Sequence, residues 1–419
     1  MSDVADRGEQ RDFTLLWFGE GVSLLGGMTT TAVLPLIAAT QFNASPEWMG
    51  LLAAATWLPW LLFGLPIGAW VDRSDPRRIM IGADVIGALA IVMVPILWAL
   101  DHLGLPHLIA AELGAGLSAV LLRTALAAII PRLVGPAGLE RANSRLLGTE
   151  SAMQVAGPGI GGVLMQALSG SFVLLLDVVG YLVSAVCLAR IRRDTRPDPN
   201  LTRQKMRTEI RHGIRTVFGD RFLRYHLITN GLSNLGLTGY TALVVLFMVR
   251  DLRLDPAQVG LLMAIGSAGG LVGAAVAVAL GRRWGTARAS IAFGLLTVPA
   301  ALVIPLASPG WGVLLLAGGS LGVSAGAVAG NVLRAAFRQR WVPQHLLGRV
   351  SGTATLVTIG TMPVAGVLAG WLGGVIGVVP TMALMVGVHA LTELTLVTPL
   401  CPFARLRDFP IGPMPLPSE

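Results

Sequence analysis

The chain has 419 residues, of which 54% are hydrophobic and only 13% charged, with a mean hydropathy of +0.71. No soluble domain hides that much apolar surface, so most of the chain must face lipid or lie inside a membrane bundle. The net charge of +8 suggests a nucleic-acid binder, but its placement excludes one. The basic residues cluster in alternate loops between apolar runs, and the opposite loops hold only Arg250 and Arg253. That asymmetry orients a membrane protein with both termini in the cytoplasm.

In chain order, a polar opening leads into a first span at 13–39, read as a span and not as a removed signal. Further spans are expected over 47–70, 79–100, 106–130, 146–168, 171–190, 222–249, 257–280, 288–307, 311–337, 347–373 and 378–400. Each is long enough to cross a hydrocarbon layer about 30 Å thick. These twelve predict an all-α membrane protein of two pseudo-symmetric six-helix bundles, 1–190 and 222–405. A cytoplasmic linker at 191–221 joins them, and 406–419 form a cytoplasmic tail. Within the linker, Arg203 to Phe218 suits an amphipathic surface helix.

The halves echo each other. Ser45-Pro46-Glu47-Trp48-Met49-Gly50-Leu51-Leu52 returns as Asp255-Pro256-Ala257-Gln258-Val259-Gly260-Leu261-Leu262, an offset of 210. Both copies read as a helix cap, a first-turn proline and an apolar run. Arg132 and Arg141 return as Arg340 and Arg349, each pair expected in a proline-containing loop. Such a duplication is expected to place a substrate path between two bundles.

The loop after the second span reads Gly68-Ala-Trp-Val-Asp72-Arg73-Ser-Asp-Pro-Arg77-Arg78. It resembles the G-x-x-x-D-R-x-G-R-[RK] signature of the major facilitator superfamily, with Gly68, Asp72, Arg73 and Arg77 matching and Asp75-Pro76 departing. The resemblance implies a conformational latch, in which an acid at a helix end binds arginines and helix N-termini. Ordinary inside-positive charge is the other reading. Gly281-Arg282-Arg283-Trp284-Gly285 stands at the equivalent place in the second half, without an acid.

Gly157-Pro158-Gly159-Ile160-Gly161-Gly162 resembles the family's G-P-x-x-G-G element, associated with drug and metabolite antiporters. Pro158 should kink the helix, and the glycines should admit a neighbouring helix. Helix packing alone also explains them. Together with Asn143-Ser144, Asp177, Arg334, the run from Gln339 to Pro343 and Gly348 to Val350, this is similar to the exporter branch containing enterobactin-exporter-like and macrolide-efflux-like proteins. The branch often carries an Asp late in the first span, where this chain has Gly26-Gly27.

Charges within the membrane each cost roughly 2.5–3.5 kcal/mol or more, so each needs a partner or a task. Glu20 and Arg123 stand at matching depth and are expected to pair, as a permanent bridge or as a proton-released switch. Glu112, with no basic partner in sight, suits a proton carrier or a side chain reaching the outer surface. Asp177 joins Glu20 and Glu112 as a proton-coupling candidate, although a structural role also fits it. Glu150 is expected to serve a helix start or pair with Arg145 or Arg73. Asp84 is expected near the inner interface, and Glu393 away from the cavity.

Asn230, Asn234, Tyr240 and Trp57 are the substrate-cavity candidates, since amides and aromatics suit an amphipathic ligand. Trp60 and Thr29 to Thr31 are further possibilities, and the amides equally suit bonds to neighbouring helices. The chain has no G-x-x-x-x-G-K-[ST] loop, no metal-spaced His/Cys cluster and no nucleophile elbow. Its two cysteines, Cys187 and Cys401, support neither a disulfide nor a metal site. The expected protein is thus a monomeric, non-enzymatic secondary transporter of the inner membrane, without cofactor or metal. It would export a hydrophobic or amphipathic small molecule in exchange for protons. The alternatives are an importer of the same fold and a non-transporting scaffold or sensor.

Overall fold

Helix starts follow the prolines and the caps beside them. The computed structural model describes residues 2–168, 170–195 and 215–400, and among these it is helical with no strand. The first four helices are α1 (Ser2–Thr40), α2 (Pro46–Val71), α3 (Pro76–Ala99) and α4 (Leu105–Ala167), followed by a short α5 (Gly170–Val173) and α6 (Leu175–Ala189). Then come α7 (Arg221–Arg250), α8 (Pro256–Trp284), α9 (Thr286–Val303), α10 (Val313–Trp341), α11 (Gln344–Ile376) and α12 (Val378–Leu400). Eleven helical stretches among the described residues are long and apolar enough to cross a membrane.

The duplication survives in the backbone. Asn43 (φ 45°) and Arg253 (φ 55°), 210 residues apart, both adopt the left-handed conformation in the short connections before α2 and α8. The caps themselves differ. Asp255 accepts from the Gln258 N–H at 2.9 Å while the Gln258 side chain accepts from the Asp255 N–H at 3.0 Å, a reciprocal capping box. Ser45 instead turns its hydroxyl to the Glu47 carboxylate.

Where a loop was expected between the fourth and fifth spans, α4 comprises, in its 63 residues, two helices that meet directly at a kink, with no loop between them. Its one non-helical residue is Gly135 (φ 60°, ψ 176°), directly before Pro136. A residue preceding proline is driven from the helical region. Pro136 then opens the next turn without a missing bond, and the following Leu, Glu, Arg and Ala residues favour helix. Arg132 and Arg141 therefore lie on helix, not in a loop. In the second half, extended Val342 and Pro343 do separate α10 from α11.

The chain divides into two units: Met1–Leu201 with Leu254–Ala264, and Thr202–Arg253 with Ile265–Glu419. In the first, α4 packs on α1, α2 and α3, and α6 packs on α1 and α3. A core of Phe13, Leu16, Met80, Ile129 and Leu133 lies at one end of this unit, with Trp60 packed against it. In the second, α7 packs on α11 and α12, and α9 packs on α10 and α12. Large apolar side chains such as Leu89, Leu296 and Trp371 remain exposed, as a lipid-facing surface requires. The amphipathic helix expected over Arg203 to Phe218 lies mostly outside the described residues, as does the tail; residues 215–219 are helical.

Candidate functional site

In the first unit, α1 and α6 meet along a seam of small residues. A Cβ on Gly19 would collide with Ser184 and Cys187, one on Gly180 with Val22 and Ser23, and one on Gly26 with Asp177. This closeness brings the Asp177 carboxylate against α1. Thr30 Oγ1 donates to Asp177 Oδ2 at 2.7 Å, and Oδ1 has no hydrogen-bond partner. Asp177 is 1% exposed, and no cation among the described residues bridges to it. It sits in the first turn of α6, where the helix dipole favours an anion.

Glu112 of α4 is also buried, which excludes the expected escape to the outer surface. Its Oε2 accepts from Thr56 Oγ1 of α2 at 2.9 Å. Gly116, one turn on, permits this approach, since a Cβ there would stand 2.8 Å from the Thr56 carbonyl. Tyr181 lies one turn beyond Asp177, its ring set against Gly87 of α3 beside Ser118. Ser118 Oγ donates to the Ala83 carbonyl at 2.8 Å. Asp84 is 1% exposed rather than at the interface; neither of its oxygens has a hydrogen-bond partner, although the Ser184 hydroxyl lies close by. The polar spacing Asp177, Tyr181, Ser184 on an otherwise apolar helix was the available signal for this buried face.

The expected Glu20–Arg123 bridge is replaced by another. Arg123 Nη1 binds Glu150 Oε1 at 2.6 Å, and Glu20 stands nearby within electrostatic reach of both. The reason is the kink at Gly135, where the two helices of α4 meet, with Glu150 on the second standing beside Arg123 on the first. Neither Arg145 nor Arg73 forms an ion pair with Glu150; Arg145 instead lies over the Trp17 ring at 5.8 Å. Trp17 Nε1 donates to Thr149 Oγ1 at 2.8 Å.

The signature loop divides its labour. Asp75 caps α3 by accepting from the Arg77 N–H at 3.1 Å, and Pro76 takes the first turn. Arg77 closes α6, donating from Nε to the Leu188 carbonyl at 2.7 Å and from Nη2 to the Ala189 carbonyl at 2.5 Å. Asp72 and Arg73 are exposed, with no ion pair among the described residues, and Gly68 borders open space.

The glycine-proline element is a packing surface. Gly157 abuts Met28 and Thr29 of α1, and Thr29 Oγ1 donates to the Gly157 carbonyl at 3.3 Å. Gly161 meets Thr29 and Val33, and Gly162 meets the backbone of Pro256 and Gly260 within the same unit. Pro158 lies inside α4, where Gly135 is the residue with non-helical φ/ψ.

In the second unit, Asn230 Nδ2 donates to Thr358 Oγ1 at 2.8 Å and Asn234 Nδ2 to the Asn230 carbonyl at 2.9 Å. Both amides thus bond within the bundle. Tyr240 is buried with its hydroxyl 3.0 Å from Ser320 Oγ, a helix-to-helix contact rather than an open cavity wall. Trp57 is half-buried on α2. The sequence reading missed a buried polar cluster of Ser233, His389, Glu393 and Arg334. Among the described residues, no three His, Cys, Asp or Glu side chains are placed to hold a metal ion.

Membrane-length helices, glycine-lined seams and carboxylates sunk far from water define a polytopic helical transporter. The chain belongs to the Major Facilitator Superfamily, whose model matches residues 16–358. It is 27% identical over 414 residues to the multidrug efflux pump Tap of Mycolicibacterium fortuitum, covering 96% of this chain and 97% of that protein. It is also 26% identical over 201 residues to macrolide efflux protein A of Streptococcus pyogenes, covering 46% of this chain and 49% of that one. Among solved structures, a bacterial homologue of the iron transporter ferroportin in an inward-facing state shares the fold with a TM-score of 0.74. The identity is 18%, over 94% of this chain and 99% of that one.

Proposed function

We propose that this transporter exports hydrophobic or amphipathic small molecules, drug-like ones among them, by proton antiport with alternating access. In this reading it works as a monomer in the plasma membrane, with both termini in the cytoplasm. The observation that carries the reading is Asp177, a buried carboxylate held by one threonine, with one oxygen unbonded and no cation bridging to it among the described residues. Such a group has two states of comparable standing: neutral with a proton, or ionised with a cationic or donor-bearing ligand in its place. Export rather than import is supported by the full-length similarity to a multidrug efflux pump.

Glu112, held by a single threonine, is the second proton candidate, and Glu20, beside the Arg123–Glu150 pair, the third. The Asp72-Arg73 corner is the proposed latch between access states. Asn230, Asn234 and Trp57 stay as proposed cavity contacts.

The test is uptake of the lipophilic cation ethidium into everted membrane vesicles under an imposed pH gradient. Wild type is expected to accumulate dye that a protonophore releases, and Asp177→Asn to lose gradient-driven accumulation while retaining wild-type expression and melting temperature. Accumulation indifferent to the gradient would sink the antiport reading. Accumulation only under the reversed gradient would favour an importer.

A further inference from the structure

The second unit has one acid within a described span, Glu393, and the structure surrounds it with polar groups from three helices. Ser233 of α7 lies between His389 and Glu393 of α12, with Oγ 2.9 Å from His389 Nδ1 and donating to Glu393 Oε1 at 3.0 Å. Arg334 of α10 reaches the same Oε1 at 3.5 Å and donates to Asn331 Oδ1 at 3.0 Å. Ser233, His389, Glu393 and Arg334 are each less than 10% exposed. Two glycines make the assembly possible. Gly236 lets α12 approach at the His389 backbone, and Gly330 leaves room for the Arg334 guanidinium to fold back over it.

The hydrogen-bond chemistry assigns the histidine proton. The Ser233 hydroxyl hydrogen is directed to Glu393, so the Ser233 oxygen can only accept from Nδ1. The Ser233 carbonyl, 3.3 Å from the same nitrogen, can also only accept. Nδ1 therefore carries the hydrogen, and Nε2 is a bare lone pair, buried and without a partner among the described residues. A buried acceptor left open in this way is uncommon and calls for a ligand.

We propose that His389, Ser233, Glu393 and Arg334 form a second proton-binding site, in which His389 Nε2 takes the proton and Ser233 couples it to the Glu393–Arg334 pair. One N–H bond forms at Nε2 as one O–H bond of a hydronium ion breaks, leaving a water molecule. The resulting imidazolium pulls harder on Ser233 through Nδ1–H, and Glu393 is then shared between two cations. The charged groups facing this site are Glu393 on the same helix and Arg334 across it, with Arg338 and His226 beyond Arg334. Also on α7 are Arg224, Tyr225, which donates to the Thr395 carbonyl of α12 at 2.7 Å, and further along Tyr240 and Arg250, while α9 and α11 carry titratable residues only in their first two turns: Arg288, His345 and Arg349. The role in transport rests on the antiport reading; the proton site itself does not.

The experiment is NMR of the full-length protein in detergent, labelled at histidine Cε1 and titrated from pH 5 to 9. The comparison variant is His389→Asn, whose amide keeps a donor toward Ser233 but cannot titrate. A resonance absent from the variant should move with pH, and its midpoint should change in Ser233→Ala. A His389 resonance that stays fixed across this range overturns the proposal. Ethidium accumulation is then measured against pH in everted vesicles. A profile in which His389→Asn loses one inflection supports the coupling, whereas a profile identical to wild type overturns it. Should the wild-type protein ignore a pH gradient while the resonance titrates, the antiport reading fails and the proton site stands.

Discussion

Thr30 Oγ1 donates to Asp177 Oδ2 at 2.7 Å, across a helix seam where Gly26 leaves no room for a side chain of its own. Asp177 of α6 thus fills the space beside Gly26 of α1, and a side chain there is excluded sterically, because a Cβ on Gly26 would lie 2.5 Å from Asp177 Cα. This relationship gives a direct prediction for each partner.

Gly26→Ala forces α1 away from α6 and should cost about 1–3 kcal/mol, the usual cost of overpacking a close helix contact. The control is Gly68→Ala, at a position bordered by open space. The melting temperature in detergent should fall for the first and hold for the second. A Gly26→Ala protein melting like wild type would show that the seam yields.

Thr30→Val keeps the shape and removes the donor to a buried carboxylate, a loss of about 1–3 kcal/mol. An Asp177→Asn background should shrink that cost, since a neutral amide needs the donor less. A double-mutant cycle on melting midpoints reads the coupling. Additive costs would mean that the bond observed does not stabilise the ionised acid.

Arg77 holds two carbonyls at the end of α6 with two different nitrogens. A lysine ammonium cannot reproduce that fork, so Arg77→Lys and Arg77→Gln should destabilise comparably, by about 1–3 kcal/mol. Asp72→Asn, at an exposed helix end, should melt as wild type yet transport more slowly if the latch operates. Unchanged transport by a stable Asp72→Asn protein removes the latch.

The Arg123–Glu150 bridge has side-chain exposures of 59% and 20%, so its coupling should be no more than about 1 kcal/mol. Double-mutant cycles should give a larger coupling for Arg123 with Glu150 than with Glu20. The reverse order would restore the pairing expected from sequence depth alone.

The architecture was legible because its signals are additive along the chain. Hydropathy counts spans, basic loops alternate, and the repeat at 210 residues reappears as Asn43 and Arg253 in matching left-handed turns. The missed features are those set by the route of the backbone. Proline and glycine between Pro131 and Gly138 suggested a loop, but one residue at φ 60° makes the turn and a second helix starts at once. That sharp kink sets Glu150 against Arg123 in place of the expected Glu20 bridge.

The candidate site divides in the same way. Sequence alone named Asp177 and Glu112, because an acid in an apolar run is costly wherever the run packs. It did not show that Thr30 and Thr56 hold them, since those bonds join helices 147 and 56 residues apart in the chain. His389 was passed over because a lone histidine midway along an apolar span carries no distinguishing pattern. Composition and the repeat determined that this is a duplicated, helical membrane protein with a few acids inside its spans, and the motif resemblance implied a transporter. Tertiary structure alone decided which hydroxyl, cation or glycine stands against each acid. Hydropathy is a property of single residues summed along a helix, whereas a hydrogen bond needs two helices in one register.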